Sequence, residues 1–243
     1  MRLEGKVVLV TGGGSGVGAA IAQQFAQAGA QVVVVGRRAE QLQATCDAIM
    51  NGPPVRSAVA DVADRAQVKA LVEQIVGEFG RLDILINNAG VNIPARQLDQ
   101  LAAEDWDQLM TVNATGAFNM IQAVLPQMRA QRDGLIINIS SISGRRASTL
   151  AGAAYSASKH ALNALSKVVG QEEEQHGIRS TIISPGDINT PLLDKRPVPV
   201  SAEQRAQILQ PDDIAATVLF VATLPAHVSV PEIVIKPIGQ VYM

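Results

Sequence analysis

Cysteine and aromatic side chains are what this chain has least of. Among 243 residues there is one cysteine, Cys46, and aromatic residues amount to 3%. A single cysteine forms no internal disulfide, and Cys46 reads as a free structural thiol. So few rings leave no surface on which nucleic-acid bases would stack. The three histidines, His160, His176 and His227, are scattered without metal-ligand spacing, so no metal site is expected. Charge of either sign is also sparse: Lys plus Arg is 20, Asp plus Glu is 22, and the formal net charge is −2. That balance provides no basic face for nucleic acid or for an anionic membrane. No apolar run approaches the roughly 20 residues that span a bilayer. The short apolar stretch after Lys6 runs into glycines rather than into a signal-type cleavage site. The expectation is a soluble, cytoplasmic protein without nucleic-acid or membrane partners.

What is abundant is apolar surface, at 47% of residues, enough to build a sizeable core. Short β-branched runs at Val7–Val10, Val32–Val35, Val55–Ala60, Leu82–Ile86, Leu135–Ile139 and Ser180–Ile183 read as strands that are apolar on both faces. Continuous hydrophobicity of that kind marks a parallel sheet covered on each side. Helical patterns at Val17–Ala28, Ala39–Met50, Asp64–Phe79, Asp105–Ala130 and Ala153–His176 alternate with them, and Asp212–Thr223 precedes a last strand at Glu232–Lys236. The βαβ rhythm predicts an α/β fold: one doubly wound, Rossmann-like parallel sheet of about seven strands with helices on both faces. No linker divides the chain, so residues 1–243 read as a single domain. The Pro-rich stretch Arg196–Val200 reads as a surface loop or lid hinge.

Residues Thr11-Gly12-Gly13-Gly14-Ser15-Gly16-Val17-Gly18 follow the first strand and open the first helix. Glycines there let the backbone turn sharply and approach a pyrophosphate, whose charge faces the helix N-terminus. A tight turn with no ligand is the plainer alternative, but the second βαβ unit behind it favours dinucleotide binding. No Gly-Lys-Ser/Thr ending follows, which argues against a P-loop nucleotidase. At the end of the second strand stands Gly36-Arg37-Arg38, with no carboxylate before Glu40. An acidic residue there suits NAD and a basic one suits the 2′-phosphate of NADP. Arg37, helped by Arg38, therefore points to NADP over NAD; the alternative is a solvated arginine pair.

Gly12, Gly16 and Gly18 are spaced G-x-x-x-G-x-G. Further on come Asp61-Val62, Asn87-Asn88-Ala89-Gly90, Asn113, Ser140-Ser141 with Tyr155-x-x-x-Lys159, and Pro185-Gly186. In that order the chain resembles the short-chain dehydrogenase/reductase family. The resemblance implies a glycine cradle for the cofactor that includes Ser15 and Val17. It gives Asp61 the adenine amino group, with Val62 beside the ring, and gives Asn87, Asn88, Ala89 and Gly90 the cofactor ribose and a hold on the central sheet. Thr190 and the Ile188 backbone would meet the nicotinamide carboxamide, past a turn at Pro185 and Gly186. A helix-capping role is the alternative for Asp61 or Asp64.

Tyr155 and Lys159 lie four residues apart on a helix and so share one face. A phenol with an ordinary pKa near 10 transfers protons poorly at neutral pH, and a neighbouring ammonium favours its phenolate. An exposed helix pair is the ordinary alternative. By the resemblance, Ser141 holds the substrate oxygen, with Ser140 and Ser143 as nearby competitors. Asn113 opens its helix locally and carries a water that links Lys159 to solvent. No histidine stands beside these serines, which disfavours a Ser-His hydrolase. The function implied is an NADP(H)-dependent oxidoreductase that interconverts a secondary alcohol and a ketone. A non-catalytic NADP(H)-binding sensor or scaffold is the alternative.

Val91–Leu101, Ile142–Ala154 and Pro191–Gln210 are expected to form the substrate pocket. Arg145 and Arg146 would suit an anionic substrate, though exposed loop arginines are the commoner case. The tail VSVPEIVIKPIGQVYM departs from the Gly-rich ending frequent in the family. Phe118, Met120, Leu125, Leu162 and Leu165 on the two long helices suggest an apolar face for a homo-oligomer, a dimer or a tetramer.

Overall fold

In a computed structural model, residues 3–241 are described. Tyr242 and Met243, at the end of the tail, lie outside them. Seven strands form one sheet: β1 (Val7–Thr11), β2 (Gln31–Gly36), β3 (Arg56–Val59), β4 (Ile84–Asn87), β5 (Gly134–Ile139), β6 (Ile178–Pro185) and β7 (Glu232–Ile235). Their order is β3-β2-β1-β4-β5-β6-β7, and every neighbouring pair is parallel. The chain moves outward from β1 to β3, then returns to place β4 on the other side of β1. That reversal opens a crevice at the carboxyl ends of β1 and β4, where ligands bind in folds of this type.

The inner strands are buried on both sides because both sides are covered, whereas the edge strand β3, expected to be apolar on both faces, is Arg-Ser-Ala-Val and mostly exposed. Val8 and Val10 face a cluster with Ile21 and Phe25 of α1 (Gly16–Gln27) and with Ile214 and Val218 of α8 (Pro211–Ala222). Val7 and Leu9 face the opposite cluster, with Leu71 and Ile75 of α3 (Arg65–Phe79) and Met120 and Val124 of α5 (Gly116–Gln131). Asp64 starts α3 by accepting from the Ala66 and Gln67 amides, and Gly80 ends it in the left-handed region. Between the elements, α2 spans Ala39–Ala48, α4 Ala103–Met110, α6 Ala153–Glu173 and α7 Ala202–Gln207.

Two departures from the expected elements matter for the site. The long helix expected over Asp105–Ala130 is divided: α4 and α5 are joined by one π-helical turn at Thr111–Thr115, with Asn113 buried inside it. The extra residue in that turn comes where the Asn113 side chain is fastened to backbone outside the helix. The second departure is α7, which lies in a segment expected only to line a pocket. Ser201 and Gln204 close a capping box at its start.

At the other end of the sheet, Asp83 is held by Lys6, Arg81 and the Val7 amide. Among the described residues no helix is long and apolar enough to cross a membrane.

Candidate active site

Strand β1 ends at Thr11, whose hydroxyl accepts from the Asn88 and Ala89 amides at 2.9 and 3.0 Å. This ties the ends of β1 and β4 together and fixes the floor of the crevice. Gly12 turns the chain at φ +64°, a conformation that disfavours a side chain, and a Cβ there would sit 2.9 Å from the Ala89 Cα. At Gly18 a Cβ would come within 2.3 Å of the Gly12 carbonyl oxygen. The first turn of α1 can therefore close onto the glycine turn only because position 18 has no side chain. Ser15 caps α1 in an extended conformation without using its hydroxyl on the helix.

A cleft of about 490 Å³ runs from this turn across the sheet. Of the residues expected to hold a dinucleotide, Gly12, Ser15, Gly16, Val17, Arg37, Arg38, Asp61, Val62, Ala89, Gly90, Tyr155, Lys159, Ile188 and Thr190 line it. Four others sit elsewhere. Gly18 serves the close packing just described. Asn87 points into the sheet, where it donates to Asn138 at 2.9 Å. Pro185 and Gly186 line an adjoining cavity of about 160 Å³. Asn88, expected with its neighbours to support the ribose and hold the sheet, lines the cleft and donates to the Thr11 and Gly12 carbonyls.

Arg37 and Arg38 both reach the cleft, and the Arg37 guanidinium lies 3.8 Å from the Asp61 carboxylate. Asp61 also accepts from the Ala63 amide at 2.9 Å, while the helix cap itself is Asp64. The glycine turn, the unused Ser15 hydroxyl and the basic rim form a donor set that fits a phosphorylated dinucleotide.

The groups expected to do the chemistry come from α6, from the end of β5 and from the π turn that holds Asn113. Tyr155 and Lys159 share a face near the start of α6, and Ser141 follows β5. Tyr155 lines both the cleft and the adjoining cavity, whereas Ser141 lines the cavity alone. Burial pushes the Tyr155 phenol up to about 12, against a lowering by the hydrogen-bonded Ser141 hydroxyl and by the charge of Arg96. Burial also brings the Lys159 ammonium down to about 8. Its Nζ lies 5.7 Å from the Tyr155 ring centroid and donates to the Ile139 carbonyl at 2.9 Å. From spacing alone, Lys159 is expected to depress the phenol's pKa below its ordinary value. In the structure desolvation outweighs every lowering influence, and Lys159 spends a proton on backbone instead.

Asn113 is equally committed. Its Oδ1 accepts from the Val91 amide at 2.8 Å, and its Nδ2 donates to the Val91 carbonyl and to the Ser158 hydroxyl, each at 3.0 Å. The local opening of the helix is therefore present, with the side chain fastening the segment after β4. A Cβ built on Gly90 would lie 3.4 Å from Asn113 Oδ1 and 3.5 Å from Lys159 Nζ, so both groups flank that residue.

Ser140 lines both spaces, and its buried hydroxyl has no partner among the described residues. Arg145, one of the arginines considered for an anionic substrate, forms an ion pair with Glu232. Arg146 is exposed. Lys195, which lines the cleft, and Arg96, which lines the cavity, fall within the expected pocket segments Pro191–Gln210 and Val91–Leu101, but the sequence does not single either out. Neither belongs to a motif, and nothing local distinguishes them from loop cations.

The short chain dehydrogenase family profile matches residues 6–198. A 3-oxoacyl-[acyl-carrier-protein] reductase of Thermotoga maritima is 37% identical over 229 residues, covering 92% of each chain. Among solved structures, a serine dehydrogenase complexed with NADP+ superposes with a TM-score of 0.89 at 33% identity, over 97% of this chain and 96% of that one. A 3-ketoacyl-(acyl-carrier-protein) reductase from Brucella melitensis, complexed with NADH, gives 0.87 at 29% identity, over 96% and 97%.

Proposed function

This chain belongs to the short-chain dehydrogenase family, and on that premise we propose that it is an NADP(H)-dependent oxidoreductase interconverting a secondary alcohol and a ketone. The observation that carries the reading is Tyr155, which lines both a cleft of dinucleotide size and a smaller cavity beside it. A bound nicotinamide supplies or accepts the hydride. The protein's part is the proton and the placement of the oxygen.

In the reducing direction the Tyr155 hydroxyl donates its proton to the substrate oxygen, and its raised pKa keeps it protonated at neutral pH. The Ser141 hydroxyl, hydrogen-bonded beside it, steadies the same oxygen. The Lys159 ammonium, 5.7 Å from the ring, favours the phenolate that remains. Asn113 acts through the backbone of Val91, holding the wall next to Lys159 in place.

For the cofactor, relatives complexed with NADP+ and with NADH are both similar in fold. The pair Arg37 and Arg38 at the cleft rim supports NADP here, since their charge attracts a 2′-phosphate and no acidic side chain at the end of β2 repels it. The test is a panel of ketones and secondary alcohols followed at the NADPH absorbance band, run with both cofactors. Turnover with NADPH supports the reading. Tight NADPH binding with no turnover of any carbonyl would replace it with the sensor.

A further inference from the structure

The cavity beside Tyr155 contains a cation to which the reaction as described gives no part beyond a lowering influence on the phenol. Arg96 lies in the segment between β4 and α4 and is 6% exposed. Its Nε donates to the Ile93 carbonyl at 2.8 Å, Nη1 to the Leu150 carbonyl at 3.0 Å and Nη2 to the Lys195 carbonyl at 2.5 Å. It therefore reaches three pocket-lining segments: its own, the one before α6, and the turn after β6. Five N–H groups make up a guanidinium, so one on each terminal nitrogen remains for another acceptor.

Its charge is not compensated within the protein. Among the described residues no carboxylate pairs with Arg96, and the charged group that acts on it most is a second cation, Arg196. Arg196 does have a partner, the Asp187 carboxylate. Arg196, Asp187 and Arg96 all line the cavity, whose wall therefore carries one positive charge in excess. Burying a cation without an anion is unfavourable, and backbone carbonyls satisfy its hydrogen bonds without neutralising it. A carboxylate offers what is missing: one negative charge and two acceptors in the plane of the guanidinium fork.

Resting on the oxidoreductase reading above, we propose that Arg96 receives a substrate carboxylate, making short-chain hydroxy acids and their oxo acids the substrate class. The carboxylate is recognised and leaves unchanged; only the carbinol or carbonyl carbon next to Tyr155 reacts. Size agrees with a short chain. The space of about 160 Å³ is about a third of the volume of the cofactor cleft, too small for a bulky or polycyclic substrate. The assignment moves anion recognition away from Arg145, which is paired with Glu232.

The test compares acids with neutral counterparts on the unmodified protein and on two variants. Hydroxy acids of three to five carbons, with the hydroxyl at C2 or C3, are assayed with NADP+ beside their methyl esters. The acids should be favoured about thirtyfold or more in kcat/KM, the scale expected for a desolvated charge pair. Arg96→Gln should remove most of that preference by raising KM for the acids, and Arg96→Lys should restore part of it. NADPH affinity, read by fluorescence, should not change in either variant, because Arg96 does not line the cofactor cleft. That measurement also reports whether a variant has kept its fold, and the acid-to-ester ratio of the unmodified protein requires no variant. Equal use of esters and acids would overturn the carboxylate assignment and leave the oxidoreductase standing. A loss in Arg96→Gln that falls equally on acids and esters would overturn the carboxylate assignment and leave Arg96 acting only through the loops it joins or through its charge on Tyr155. No turnover of acid, ester or simple ketone, with NADPH bound, would overturn both.

Discussion

Tyr155 and Lys159 are both buried, and burial opposes the charged form of each, raising the phenol and lowering the ammonium. The two shifts set the expected pH behaviour of reduction. Tyr155 remains a proton donor through neutral pH, and Lys159 stabilises the charge left on the phenolate only while it is itself protonated. Reduction should therefore decline as pH rises through about 8, where Lys159 loses its proton. Lys159→Arg should move that inflection upward, because guanidinium keeps its charge. NADPH consumption measured against pH checks both. Tyr155→Phe keeps the ring and deletes the proton, so kcat should fall by about 10²–10⁴-fold while NADPH affinity is retained. Stopped-flow single turnovers and cofactor titration would separate the two effects. Arg37→Asp should reverse the cofactor preference, since it exchanges attraction for repulsion of a 2′-phosphate. Its cost is reduced by the exposure of Arg37, at 58% of the side chain. Equal use of NADH and NADPH by the unmodified protein would contradict that reading of the β2 terminus.

Among the elements, the π turn at Thr111–Thr115 has the clearest consequence. It turns Asn113 away from helix bonding and toward Val91 and Ser158, so one side chain joins three segments. Asn113→Ala leaves the part-buried Val91 amide and carbonyl without those partners. The expected loss of stability is about 1–3 kcal/mol, read from urea unfolding. A variant as stable as the original would show that the turn does not depend on Asn113. Helix α7 belongs to a polar network with the segment after β6: Arg205 meets Asn189 and Asp194, and Gln210 meets Asn189. The Ser201 and Gln204 capping box that starts α7 is a local signal, carried by residues three positions apart in the chain. The network itself is not legible in that way, because its partners are up to 21 residues apart in sequence.

At the scale of the molecule, the carboxylate of Asp83 joins β1 to β4 at the end opposite the cleft. Burial works against its charge, but hydrogen bonds from Arg81, the Val7 amide and Lys6 outweigh that and hold it below the usual carboxylate range. A depressed carboxyl pKa contributes stability above the unfolded value and loses it as pH falls through the folded one. Asp83→Asn should therefore lower stability at neutral pH and flatten its fall on acidification, measured by thermal unfolding across the acid range. For assembly, Met120 and Leu162 are buried within the protomer, so they offer nothing to a partner. Trp106 on α4 and Val168 on α6 are the exposed apolar residues of that region. We expect a homotetramer, with Val168→Glu weakening it; light scattering that shows only single chains at micromolar concentration would refute the expectation.

Periodicity and local chemistry already determine much of this protein. Two-sided apolar strands alternating with helices point to a covered parallel sheet, and Gly12 and Gly16, both at positive φ, announce a tight turn because backbone conformation is a local property. The i to i+4 spacing places Tyr155 and Lys159 on one helical face for the same reason. Only the tertiary structure decides which neighbouring side chain faces the cleft. Asn87 and Asn88 differ by one residue, and the pleat sends the first into the sheet while the second turns to Thr11 and Gly12. The phenol's pKa is likewise decided by burial, which spacing does not encode. Arg96 is an undistinguished loop cation in the sequence. Its meaning arises where three segments converge to bury it and none supplies an anion.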